Sequence, residues 1–180
     1  MLKVTVPSTE QYDEATNEFT TSKEQILHLE HSLVSLSKWE SKWHKPFLSN
    51  KDMTVEESID YIRCMTLTQN VDPKVYNFIT QEIIDEVKAY IDNPMTATTF
   101  AKDDKKVTSR EIITSEIIYY YMIALNIPLD CQKWHLNRLF TLINVCNIKN
   151  SPPKKMSRRD AMAQQRALNA ARRNKLNTKG

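Results

Sequence analysis

Ile112-Ile113-Thr114-Ser115-Glu116-Ile117-Ile118-Tyr119-Tyr120-Tyr121-Met122-Ile123-Ala124-Leu125 is the stretch whose reading decides the class of fold. From Ile117 to Leu125 every residue is apolar or aromatic, so a helix wound from it is greasy on nearly every side. Such a helix belongs among other helices, and the run predicts the centre of a helical core. A polar loop over 101–107 precedes it, and Thr108 with Glu111 has capping-box spacing, which predicts a helix from Ile112 to Leu125. The apolar run ends at Asn126, well short of the ~20 residues that cross a bilayer, so no membrane partner is expected.

Outward from this helix the same period recurs. Leu33, Leu36, Trp39 and Trp43 share one face of a helix closed by Pro46. Thr54 and Glu57 make another capping box, and the helix they open has Ile59, Ile62 and Leu67 as its predicted face, with Tyr61 and Met65 alongside. Thr80 caps Gln81 to Asp92, where Ile83, Ile84, Val87 and Ile91 repeat until Asn93-Pro94 stops the helix. Asn126 to Asp130 turns the chain into a helix from Cys131 to about Ile148, placing Leu139, Leu142, Ile143 and Cys146 inward. Strand material is confined to the first 31 residues. Lys3-Val4-Thr5-Val6 alternates up to Pro7, 13–17 is a turn-rich patch, and Ile26 to His31 offers a further strand. The expected fold is mainly α: a compact domain of about five helices with a small N-terminal β-hairpin and a basic C-terminal tail. Residues 1–31 are the hairpin segment, 32–150 the helical body and 151–180 the tail, helical or disordered, beyond Ser151-Pro152-Pro153.

Composition excludes several kinds of chemistry. The single glycine of the 180 residues is Gly180, which removes phosphate-cradling loops and tight hairpin turns. Cys64, Cys131 and Cys146 are odd in number, with no C-x-x-C pair, and read as small buried residues in a reducing cytoplasm. The opening MLKVTVPSTEQYDE lacks the apolar core of a secretory signal. His28 and His31 fall on opposite faces of a strand, which is poor metal geometry. Cys131 and His135, four apart on a helix, could chelate as a pair, but two further zinc ligands cannot be named. A core cysteine beside a hydrogen-bonded histidine is the expected arrangement. Acid pairs such as Glu56-Glu57 and Asp103-Asp104 read as capping and solvated charge. No catalytic residue, metal or cofactor is expected, and the chain reads as a non-enzyme.

Charge is unevenly placed. Residues 152–180 hold nine basic residues against Asp160 alone, a net +8, and residues 1–151 hold a net −5. Lys154, Lys155, Arg158, Arg159, Arg166, Arg172 and Arg173 make this tail a candidate contact for phosphate, anionic lipid or acidic protein. From Ala161 to Ala171 helix propensity is high and apolar area small, so the helix gains order on a partner. Two aromatic–basic clusters stand in the body. Trp39, Trp43, Lys45 and Phe47 form one; Trp134, between Lys133 and Arg138, marks the other. Both read either as core anchors, with Trp134 abutting the first cluster, or as surfaces for a protein partner or single-stranded nucleic acid.

The stretch Leu29 to Glu40 through Trp43 and Lys45-Pro46-Phe47 resembles reading frames in the tail-gene clusters of long-tailed bacteriophages. Ser109-Arg110-Glu111-Ile112-Ile113, Gln132 to Leu139 and Leu168-Asn169-Ala170-Ala171-Arg172 carry the same resemblance. The chain is similar to the phage tail assembly chaperones made just before the tape measure protein. That resemblance implies a small helical protein that binds the tape measure chain while tail tube protein assembles around it. It further implies residence in the cytoplasm of the infected host and absence from the finished virion. The alternatives are a connector or tail-completion component of the virion, and a nucleic-acid-binding protein acting through the tail. Self-association is compatible with each.

Overall fold

The computed structural model describes residues 1–13, 18–50, 52–100, 111–151 and 158–176. The chain divides into two compact units, Met1–Asn147 and Ile148–Gly180. It is mainly helical with an N-terminal antiparallel hairpin, as the sequence predicts. The elements are β1 (Leu2–Val6), β2 (Thr9–Asp13), β3 (Glu18–Ser22), β4 (Gln25–Leu29), α1 (Leu33–Trp43), α2 (Val55–Met65), α3 (Gln81–Asp92), α4 (Ser115–Ala124), α5 (Leu136–Asn150) and α6 (Arg158–Leu176). Single 3₁₀ segments lie at Phe47–Ser49, Pro73–Phe78 and Leu129–Lys133.

β1 pairs with β4 from Leu2↔Leu29 to Val6↔Gln25, and β2 pairs with β3 from Thr9↔Ser22 to Asp13↔Glu18. The two residue numbers of every pair add to the same total, so both ladders belong to one long hairpin in a single register. It is interrupted where Pro7 brings a residue with no amide hydrogen to donate. The inner ladder buries Val4, Val6, Leu27 and Leu29. Of the turn-rich patch at 13–17, residues 14–17 lie outside the described residues, as do the loop 101–107 and Thr108.

Two apolar clusters make up the core. The first joins Val4, Val6, Leu27 and Leu29 to Trp39 of α1, Tyr61, Ile62 and Met65 of α2, the 3₁₀ residues Val75, Tyr76 and Phe78, and Ile83, Ile84, Val87 and Tyr90 of α3. The second joins Leu33 and Leu36 of α1 to Ile118 and Met122 of α4, Cys131, and Leu136, Leu139 and Ile143 of α5. α1 therefore contributes to both, and it is the hub. The expectation that the Ile117–Leu125 helix would be central is corrected: α4 buries only Ser115, Ile118 and Met122.

The local signals place most ends. Thr54 and Glu57 close a reciprocal capping box on α2, and Thr80 accepts from the Ile83 amide at the start of α3. The buried face of α2 is Glu57, Asp60, Tyr61, Ile62 and Met65, while Leu67 lies past the helix and is exposed. That face is rotated from the predicted one because α1 supplies partners for Asp60 and Glu57. α4 begins at Ser115, three residues later than predicted, and Thr114 makes no side-chain cap. α5 begins at Leu136, not Cys131: His135 is drawn into a backbone bridge with Ser32, and the Leu136 amide donates to the His31 carbonyl at 2.8 Å. With glycine missing from the body, left-handed turns fall to His44, Asn70, Met95 and Asn126, each with φ between 50° and 56°. Asparagine tolerates this region best among non-glycine residues.

Candidate partner-binding surfaces

The aromatic–basic motif of α1 is a clamp onto α2. Trp39 is fully buried, and its indole N–H donates to the Glu57 carbonyl at 3.0 Å. Trp43 stacks on Trp39 with ring centroids 6.1 Å apart and donates to the Asp60 carboxylate at 2.9 Å. Lys42 reaches Asp60 at 2.5 Å and Lys45 reaches Glu57 at 2.6 Å, both ammonium groups also lying near the Trp43 ring. The Lys45 ammonium and the Thr54 amide hold the Glu57 carboxyl below the ordinary carboxylate range. Burial acts to raise the pKa of Asp60, but donation from Lys42 and Trp43 outweighs it and the net direction is downward. Phe47 meets Trp39 edge-on at 5.2 Å and Tyr61 at 4.0 Å. Trp39, Trp43, Lys45 and Phe47 thus tie α1 to α2, with Trp39 buried and Lys45 still about half exposed.

Where the two clusters meet, a polar centre lies buried. His31 Nδ1 is 2.6 Å from the Tyr61 hydroxyl, and the His31 and His135 rings meet edge-on at 5.1 Å. His135 Nε2 bonds the Tyr90 carbonyl at 3.1 Å, while the Tyr90 hydroxyl donates to Glu30 at 2.8 Å. Burial first, and the neighbouring His135 second, push the pKa of His31 down to about 3. Burial also lowers the pKa of His135 and raises those of Tyr61 and Tyr90. Both imidazoles are therefore neutral at pH 7. His135 is hydrogen-bonded and Cys131 is buried, which is the arrangement expected of that pair, although they do not share a helix. Among the described residues no group of three His, Cys, Asp or Glu side chains could hold a metal ion. Sequence reading misses His31 as a junction because its partners come from α2 and from the start of α5. Trp134 packs on the second cluster with the Arg138 guanidinium 4.3 Å from its ring, and it is His135, one residue on, whose ring meets His31.

α4 carries the open surface. Tyr120 and Ile123 are 66% and 68% exposed, and Ile117, Tyr119 and Tyr121 are half-buried. At 100° per residue, Ile123, Tyr120, Ile117 and Tyr121 cover an arc of about 160° turned away from the buried stripe. The exposed Glu116 falls between Ile123 and Tyr120 on this arc, near the start of the helix. Past Tyr121 this surface runs into a groove of about 460 Å³ lined by Leu48, Ile113, Phe140, Ile143 and Asn144. Tyr121 is fixed at its lip by donation to Glu111 at 3.1 Å, and Tyr119 by donation to Gln132 at 2.9 Å. An apolar ridge beside a groove is the form that receives an amphipathic helix.

In the second unit, α6 presents Arg158, Arg159, Arg166, Arg172 and Arg173 as exposed side chains; Lys154 and Lys155 lie outside the described residues. No helix among the described residues is long and apolar enough to cross a membrane. No family model, curated protein or solved structure matches the chain.

Proposed function

We propose that this protein is a non-enzymatic assembly chaperone that holds a helical segment of another chain against α4. The observation that carries this reading is the open face of α4, where Tyr120 and Ile123 are two-thirds exposed and Glu116 is the one charged residue. An exposed face of that kind on a folded domain marks a place for a partner. In line with the resemblance to tail assembly chaperones, the partner is the tape measure protein of a long-tailed phage, with tail tube protein as a second contact. A tape measure is a long amphipathic helix that aggregates until the tube encloses it, and the ridge and groove on α4 suit the apolar side of such a helix. Many modest contacts along one polymer combine through effective concentration, so each copy can bind weakly and leave. The protein then acts in the host cytoplasm and departs before the virion is complete.

Co-expression with the tape measure gene tests the reading. A soluble complex is expected from the native chain, and Tyr120→Arg with Ile123→Glu should lower recovery of that complex at least tenfold. Because both side chains are already exposed, the variant's thermal midpoint should stay within a few degrees of native. A tape measure equally soluble without this protein, or bound equally by the variant, overturns it. Mass spectrometry of purified particles separates the chaperone from a virion component, which would be present in stoichiometric amount.

A further inference from the structure

The arginines of α6 are arranged, not merely numerous. At 100° per residue, Arg158, Arg159, Arg166, Arg172 and Arg173 all fall within an arc of about 140° on the helix. Arg159, Arg166 and Arg173 repeat at seven-residue intervals, which sets them about 10.5 Å apart along the axis. Gln165 and Asn169 lie within the same arc, whereas Ala163, Ala167, Ala170 and Ala171 lie outside it, on a side they share with Gln164, Leu168, Asn174 and Lys175. We infer that α6 is a second binding element, independent of α4, and that its ligand is double-stranded DNA lying along the arginine arc.

Four features of the helix favour that ligand. Guanidinium groups pair bidentately with phosphate, and a row of five along about 22 Å calls for a row of anions of equal length, which a sugar–phosphate backbone supplies without a gap. Amide side chains between the arginines are the groups that pair with adenine edges in the major groove. A single helix with four alanines beside its arginine arc fits that groove, about 12 Å wide, better than the narrow major groove of duplex RNA. α6 contains no aromatic residue on which unpaired bases could stack, and two of its larger apolar side chains, Met162 and Leu176, fall inside the arginine arc, not on a separate face as burial in a lipid surface requires.

The experiment uses the full-length chain and a fluorescent 20-base-pair duplex, with binding read by anisotropy from 50 to 200 mM salt. Binding should weaken with a log–log slope of about −4.5, reflecting five phosphate contacts. Arg159→Gln, Arg166→Gln and Arg173→Gln together should cost at least 100-fold at 50 mM salt and reduce the slope by roughly three. A second variant keeps the net charge but breaks the arc: Arg159→Ala, Arg166→Ala and Arg173→Ala with Ala167→Arg, Ala170→Arg and Ala171→Arg, which spreads the five arginines over about 240°. It should bind at least tenfold more weakly than native. Equal binding by the rearranged variant would mean that charge alone acts and would overturn the arc. No binding by the native chain, or polyglutamate competing as well per charge as unlabelled duplex, would overturn DNA as the ligand, the latter in favour of an acidic protein. None of these outcomes bears on the α4 surface, which the co-expression experiment tests alone.

Discussion

Glu40 shows how much one side chain can organise. It is buried, and its two carboxylate oxygens accept the Phe47 amide at 2.9 Å and the Ser115 amide at 2.7 Å. The second bond supplies the cap that α4 lacks from Thr114 and places a carboxylate where the helix dipole favours one. Glu40→Ala leaves the buried Ser115 amide and the partly buried Phe47 amide without their acceptor, and should lower stability by about 2 kcal/mol in urea denaturation at pH 7; Glu40→Gln, which retains one acceptor, should cost about half that. His31 gives a second residue-scale prediction, in pH. Its folded pKa of about 3 lies below the ordinary histidine value, so between these limits only the unfolded chain takes up the proton. Stability is accordingly full above about pH 6.5 and falls as pH drops, by up to about 1.4 kcal/mol per unit from His31 alone. The Glu57 and Asp60 carboxyls, held below their ordinary values in the fold, add a separate loss that sets in only as pH falls through the ordinary carboxylate range at about 4. Urea midpoints at pH 7.5 and 5.0 should show the loss, and His31→Asn, which keeps a hydrogen-bonding group toward Tyr61 without an ionisable ring, should shrink it. An unchanged loss in that variant would assign the acid sensitivity elsewhere.

At the scale of the element, α4 and α2 show which information is local. Thr54 with Glu57 and Thr80 with Ile83 are capped by side chains three residues away, and such spacing is legible in a sequence. The start of α4 is not, because its cap arrives from Glu40, 75 residues earlier in the chain. The buried face of α2 escapes sequence reading for a related reason. Asp60 reads as a surface charge until Trp43 and Lys42 are brought against it. Likewise the tryptophans and lysines of α1 are visible as a motif, but their role depends on carboxylates from another helix. The apolar run of α4 is legible as helix, whereas its position at the surface is not: a helix greasy on all sides is equally suited to a crowded centre or to an absent partner. The expected tolerance of Tyr120→Arg and Ile123→Glu by the free protein distinguishes these, since in a crowded centre the same changes would cost several kcal/mol.

For the molecule as a whole, the sharing of α1 between the two clusters predicts that Met1–Asn147 unfolds as one cooperative unit. Tryptophan fluorescence of a Trp134→Phe variant follows the first cluster through Trp39 and Trp43. Thiol labelling at Cys131 follows the second, where that side chain is buried. Their urea midpoints should coincide; separated midpoints would divide the unit at α1. The hairpin places a different demand on the whole. Inner and outer ladders keep a common count across the break at Pro7, so the outer pairs are in phase with strands anchored in the core. One residue inserted into a single arm would put them out of step and need a bulge, whereas matched insertions of two in both arms would lengthen the hairpin while preserving which side each residue faces.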